Sequence, residues 1–184
     1  MELVQMVVVV SILSLLLFLL SMIWPPDSPW SPWWRTTASV ADSMLSLARV
    51  NKKDHLIDLG CGEGTVLIHA AKKYGATGLG VEIDPFRVCH ARLNTFLSHV
   101  SAKVTIKRQN LFTTDLHQAT VVVVYLVPKT LGRLEEKFRS QLKPGTRIIS
   151  YMYQIPYLPL LVQDEKQKIY VYEMPGKKLK HRAE

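Results

Sequence analysis

Residues Asp58-Leu59-Gly60-Cys61-Gly62-Glu63-Gly64 place three glycines at alternate positions, after an apolar strand-like run and before a segment of helical spacing. Glycine lets a chain turn sharply and come close to a ligand. Alone, such a loop is equally compatible with a plain tight turn. Its pattern is D-x-G-x-G-x-G, whereas dinucleotide loops favour G-x-G-x-x-G, and its carboxylates sit where a pyrophosphate needs a helix start free of negative charge. A cationic ligand fits better. Glu82, twenty residues after Gly62, ends a second apolar run and is placed to bind both hydroxyls of a ribose. Asn110 follows a third run, and its amide can hydrogen-bond an adenine edge. A cation, a ribose and an adenine together describe S-adenosylmethionine. Asp58, Gly60, Cys61, Gly62, Glu82, Ile83, Asn110 and Leu111 form the expected cofactor-binding set.

Those residues need strands and helices in alternation to hold them. His55–Leu59 reads as a buried strand, and Val66, Leu67, Ala70, Ala71 and Tyr74 follow at helical spacing. Thr77–Val81 is a second strand, leading to a helix that starts at Asp84-Pro85, with Asp as N-cap and Pro in the first turn. Ala102–Ile106 is a third. Thr120–Val127 is the strongest β segment and must be buried on both faces. One helix through Leu131, Leu134, Phe138 and Leu142 ends at Pro144-Gly145, and Arg147–Tyr151 is the next strand. Leu158–Val162 and Lys168–Tyr172 pair as a hairpin, and Val40, Met44, Leu45 and Ala48 mark one helix ahead of the whole set. This is the pattern of a parallel α/β sheet covered by helices on both faces, with its ligand at the carboxyl ends of the strands.

The two ends of the chain are of another kind. Leu3–Ile23 is uncharged and apolar all round. As a helix it spans about 31 Å, enough for a bilayer core of roughly 30 Å. It lacks the basic flank and short apolar stretch of a cleaved signal. All four tryptophans and four prolines crowd residues 24–35, as in an interfacial belt. Residues 1–23 are thus expected to be a transmembrane anchor, 24–35 an interfacial linker, 36–176 the catalytic domain and 177–184 a basic tail. Every Lys and Arg lies at or after Arg35. The chain has 23 of them against 15 acids, two of which precede Arg35, so the body has ten more bases than acids. That excess fits nucleic acid, anionic lipid or an acidic protein face, and equally a solvated basic surface. The basic residues after the anchor put the body on the cytoplasmic side, or in an equivalent compartment. Two cysteines and six scattered histidines give no metal or Ser-His-Asp spacing.

The loop Asp58–Gly64 resembles motif I of the seven-stranded, class I methyltransferases. Asn110-Leu111-Phe112, Ala119–Leu126 and Leu142-Lys143-Pro144-Gly145-Thr146-Arg147 resemble a narrower group. It comprises the archaeal protein-lysine methyltransferases and the membrane-anchored mitochondrial enzymes that modify the adenine nucleotide translocase and the c-ring protein of ATP synthase. The resemblance covers about Thr36 to Tyr172. It implies a Rossmann-like sheet of order 3-2-1-4-5-7-6. It assigns Asp58, Gly60 and Gly62 to the methionine end of the cofactor, Glu82 to the ribose and Asn110 to the adenine. Trp34-Arg35-Thr36-Thr37 replaces the group's usual Val-Pro-Thr stretch, which leaves a role for Thr36 or Thr37 in doubt, and Asn110 stands where Asp is commoner. Tyr125 lies at the expected acceptor edge, as an amine-orienting hydroxyl or as a core tyrosine. The [DN]-P-P-[YF] tetrapeptide of adenine and glutamine methylation is absent. The leading expectation is a membrane-anchored protein-lysine methyltransferase using S-adenosylmethionine. Its protein substrate lies near the lipid bilayer, it needs neither metal nor nucleic acid, and its membrane is a prokaryotic plasma membrane or a mitochondrial inner membrane. RNA or small-molecule methylation and a non-catalytic membrane scaffold are the alternatives.

Overall fold

The computed structural model describes residues 2–23 and 35–176. The Trp/Pro-rich linker and the basic tail therefore lie outside the described residues, apart from Arg35. Helix α1 (Glu2–Ile23) precedes α2 (Ala38–Leu47), β1 (His55–Leu59), α3 (Thr65–His69, continuing as a wider π-turn through Tyr74), β2 (Thr77–Glu82), α4 (Pro85–Leu97) and β3 (Val104–Arg108). Then follow β4 (Val121–Val124), α5 (Pro128–Arg133), α6 (Glu135–Gln141), β5 (Arg147–Tyr151), β6 (Leu160–Asp164) and β7 (Ile169–Glu173). The seven strands form one sheet in the order β3-β2-β1-β4-β5-β7-β6. All neighbours are parallel except β7, which runs antiparallel to β5 and β6.

Continuous apolar strands follow from burial on both faces. Val121, Val122, Val123 and Val124 are all buried, alternating between two cores. One lies under α2, α3 and α4, and the other under α5 and α6. The expected Thr120–Val127 strand is shorter because Pro128 begins a helix at once, so Tyr125-Leu126-Val127 become a loop at the strand's carboxyl end. The expected single helix through Leu142 is two, α5 and α6, meeting at fully buried Leu134. Strand β3 begins two residues later than its sequence reading, since residues 101–103 form a turn. The hairpin strand β6 is likewise shifted two residues on.

Side-chain room decides how closely α3 and the glycine loop lie on β2. A Cβ built on Gly80 would stand 2.7 Å from the Cys61 sulfur and 2.8 Å from Ile106 and Leu67 methyls; on Gly78 it would stand 2.6 Å from a Leu67 methyl. Gly80→Ala is expected to cost about 1–3 kcal/mol, as overpacked cores do, read as a lower urea midpoint for the purified chain.

Helix α2 is tied down from outside the sheet. Thr37 accepts the Val40 N–H as its N-cap. Asp42 accepts both Lys73 ammonium contacts at 2.7 Å, the Tyr74 hydroxyl at 2.7 Å and the His69 ring at 3.2 Å. These partners, Lys73 foremost, hold the Asp42 carboxyl down at about 2.

Candidate functional site

The sheet's order reverses between β1 and β4, and a cavity opens at the carboxyl ends of these strands and β2. Every residue of the expected cofactor set lines it: Asp58, Gly60, Cys61, Gly62, Glu82, Ile83, Asn110 and Leu111. Tyr125 lines it too.

Local chemistry explains how each is held. Gly60, Gly62 and Gly64 all have left-handed backbones, with φ of 89°, 52° and 80°, which side-chain-bearing residues adopt at a cost. The Gly60 and Cys61 N–H groups both donate to the Val81 carbonyl, at 2.9 and 3.0 Å, and pin the loop to β2. Glu82 is buried and organises the wall opposite. One of its carboxylate oxygens accepts the Gly62 N–H at 3.1 Å, and the other accepts the Ile83 and Asp84 N–H groups at 2.8 and 3.1 Å. Asp84 then caps α4 by accepting from Phe86 and Arg87. Asn110 uses its amide oxygen to accept the Phe112 N–H at 2.9 Å, capping a short 3-10 turn. Its NH2 group is a donor that an Asp at this position would lack.

Asp58 is strongly perturbed. Burial, reinforced by the nearby Glu82 charge, pushes its carboxyl from 3.8 up to about 7. A group that holds its proton more tightly folded than unfolded stabilises the fold below its unfolded pKa and withdraws that stability as pH rises to the folded value. Asp58→Asn is therefore expected to gain stability relative to wild type as pH rises from about 4 to 7. Parallel melting curves at four pH values read this difference; parallel pH profiles would contradict it.

The second carboxylate of the loop behaves differently. Glu63 is ion-paired with Arg35 at 2.6 Å and faces His90 at 3.6 Å, so its charge is met by protein and not left for a ligand. The crowding of carboxylates inferred from the loop sequence thus reduces to Asp58 and Glu82. Arg35 and Thr36 both line the cavity, which gives the segment before α2 a place in the site that its departure from the group's pattern had put in question. Thr37 is the cap of α2 instead. Phe112, from the segment that resembles the narrower group, also lines the cavity, as do Thr130 and Gln109, which carried no sequence signal of their own. The Phe112 ring lies 4.1 Å beneath the Arg133 guanidinium.

Tyr125 stands just beyond β4, half-buried, with its ring edge-on to Tyr151 at 4.7 Å. Burial, then the neighbouring Tyr151 and Tyr153, raise its hydroxyl above the ordinary tyrosine value. Among the described residues no cluster of His, Cys, Asp or Glu could hold a metal ion.

A seven-stranded sheet of this order, with an acidic glycine loop after β1 and an acid at the end of β2, defines a class I S-adenosylmethionine-dependent methyltransferase. Comparison with known proteins narrows the class. Residues 58–160 match the family model described as the ANTKMT methyltransferase domain, and the chain belongs to that family. It is 36% identical over 121 residues to a protein-lysine N-methyltransferase of Saccharolobus islandicus, covering 65% of this chain and 75% of that one. It is 30% identical over 142 residues to the mouse adenine nucleotide translocase lysine N-methyltransferase, covering 76% and 62%. Among solved structures, an RNA methyltransferase of Salinibacter ruber in complex with S-adenosylhomocysteine is 36% identical, with a TM-score of 0.76, covering 82% of this chain and all of the other.

Proposed function

We propose that the chain is a membrane-anchored protein-lysine N-methyltransferase that methylates a lysine of a membrane-associated protein. The observation that carries this reading is the pairing of the family's cavity with α1. The Leu3–Leu20 stretch of α1 is long and apolar enough to cross a membrane, and none of its residues is buried in the protein. The relatives named as lysine methyltransferases support the acceptor. The catalytic domain faces the cytoplasm, or the matching side of a mitochondrial inner membrane.

The donor set fits S-adenosylmethionine. Glu82 already accepts three backbone N–H groups, which leaves about one of a carboxylate's four lone-pair sites for the ribose hydroxyls to share, while the Asn110 amide meets the adenine edge and the buried Asp58 carboxylate meets the cationic methionine end. Gly60, Cys61 and Gly62 let that end approach the backbone, with Ile83 and Leu111 as apolar walls. Because Asp58 must give up its proton to meet a cation, affinity is expected to weaken below pH 7, by close to tenfold per unit, and Asp58→Asn to remove that slope. Calorimetric titration across pH reads it.

The cofactor's sulfonium supplies an electrophilic methyl. The protein's task is then to align an amine and strip its proton. A free lysine with a pKa of ~10.4 pays about 4.6 kcal/mol to be neutral at pH 7, and desolvation lowers that cost. Leu126, Val127 and Pro128 form the apolar approach. Tyr125, a neutral phenol at pH 7 like any tyrosine, accepts an amine N–H through its hydroxyl oxygen and turns the nitrogen lone pair toward the methyl. The lysine proton leaves to solvent.

The decisive experiment is acid hydrolysis of membranes labelled from methyl-tritiated S-adenosylmethionine, followed by amino-acid analysis. Label co-eluting with Nε-methylated lysine is the expected result. Label in another amino acid, or none in the amino-acid fraction, would overturn the lysine assignment. The basic body and the likeness to the Salinibacter RNA methyltransferase favour RNA as the second reading, and strong salt dependence of RNA binding would mark it.

A further inference from the structure

Helix α4 is apolar on the side that faces away from the sheet. Val88, Ala91 and Thr95 point inward and are buried. On the outer side Phe86 is 65% exposed, Leu93 52%, Phe96 69% and Leu97 63%, with Cys89 exposed among them. Spacings of three, four and seven put these five on one stripe of the helix. Soluble proteins seldom leave such a patch uncovered.

Two observations name what covers it. Phe86 meets Phe18 of α1 edge-on, with ring centroids 6.0 Å apart. Phe18 lies five residues before the end of α1 at Ile23, about 7–8 Å along the helix axis. Amphipathic helices seat their apolar face about 5–10 Å into the boundary between headgroups and acyl chains, so this contact sets α4 at the depth such a helix occupies. Exposed Lys103 in the turn before β3, the edge strand against which α4 packs, exposed Arg108 at the end of that strand and exposed Arg92 on α4 itself supply basic charge beside the helix. An apolar stripe with basic neighbours matches an anionic lipid surface.

We propose that the outer face of α4, through Phe86, Leu93, Phe96 and Leu97, seats on the surface of an anionic bilayer as a second membrane contact. The proposal rests on the reading of α1 as an anchor. It has a functional consequence. Glu82 and Ile83, which line the cavity, immediately precede α4, and Arg87 in its first turn lines it as well. Seating α4 holds the mouth of the cavity at headgroup level and selects acceptor lysines that lie within reach of the membrane surface.

Cys89 is a native reporter on this stripe, whereas Cys61 is buried. The full chain is reconstituted in phosphatidylcholine–phosphatidylglycerol vesicles, labelled at Cys89 with a polarity-sensitive fluorophore and quenched with doxyl-labelled lipid. A Cys89→Ser, Ser140→Cys chain carries the control probe on exposed Ser140 of α6. Expected are a blue shift and strong quenching at Cys89, neither at Ser140, and a loss of both in Phe96→Ser/Leu97→Ser, which keeps wild-type affinity for S-adenosylhomocysteine. Flotation with the vesicles reads α1 separately. A chain that floats while its Cys89 probe stays in water would overturn the seating of α4 and leave the anchor standing. Failure to float would overturn both. Protection of Cys89 that vanishes when each vesicle holds a single chain would assign the face to a second copy, and also overturn the proposal.

Discussion

Glu82→Ala should lower affinity for S-adenosylhomocysteine by at least about 100-fold. Hydrogen bonds to a charged group contribute roughly 1.5–3 kcal/mol each, and two ribose hydroxyls sharing one carboxylate make that at least about 3 kcal/mol, or two decades. The same change strands the Gly62, Ile83 and Asp84 N–H groups, which Glu82 accepts from within the protein. It also removes the charge that helps to raise the Asp58 pKa. Glu82→Gln keeps one acceptor oxygen and should fall between the two. Isothermal titration, with circular dichroism to confirm the fold, checks the prediction; unchanged affinity in a folded Glu82→Ala chain would remove Glu82 from the cofactor site.

The second large effect lies at the opposite end of the sheet. Asp54, 5% exposed, pairs with the Arg147 guanidinium and accepts the Thr120 hydroxyl at 2.7 Å and the Asn51 backbone N–H at 2.8 Å. Arg147 also donates to the Ala48 and Arg49 carbonyls, and the His55 N–H donates to Thr120. The network joins the starts of β1, β4 and β5 to the end of α2. Arg147→Ala leaves a buried carboxylate without its cation, and a loss of about 3–5 kcal/mol is expected in denaturant titration. Replacing both partners by Leu and Met should cost less than the single change, since it leaves no uncompensated charge. Because the network stands at the amino ends of the strands and the cavity at their carboxyl ends, affinity for the cofactor per folded molecule should not change. A loss below 1 kcal/mol would show that solvent or other groups replace the ion pair.

These two sites differ in how readable they were. That the expected residues share one cavity was legible because they sit at the ends of successive strands. Alternating apolar runs and helical spacing reveal the strands, and the family resemblance supplies their order. The Asp54–Arg147 pair spans 93 residues, and no local pattern marks two such charges as partners. Gly78 and Gly80 look like weak points in a strand, yet they are the positions where Leu67 and Cys61 close onto the sheet. The break between α5 and α6 has a similar origin, for buried Leu134 fits the periodicity of one helix as well as of two. The Arg35–Glu63 pair took the loop's second carboxylate away from the ligand, a change that only three-dimensional proximity reveals.

Methyl transfer to a membrane protein through the cavity of Asp58 and Glu82 is the activity we propose. Its most direct test is transfer of labelled methyl from S-adenosylmethionine to native membranes by the full chain, beside Glu82→Ala, with the products split by protease, nuclease and organic solvent. Label in protein, released by protease and absent with the variant, is the expected result. Label released by nuclease or solvent, or equal labelling by Glu82→Ala, would contradict it.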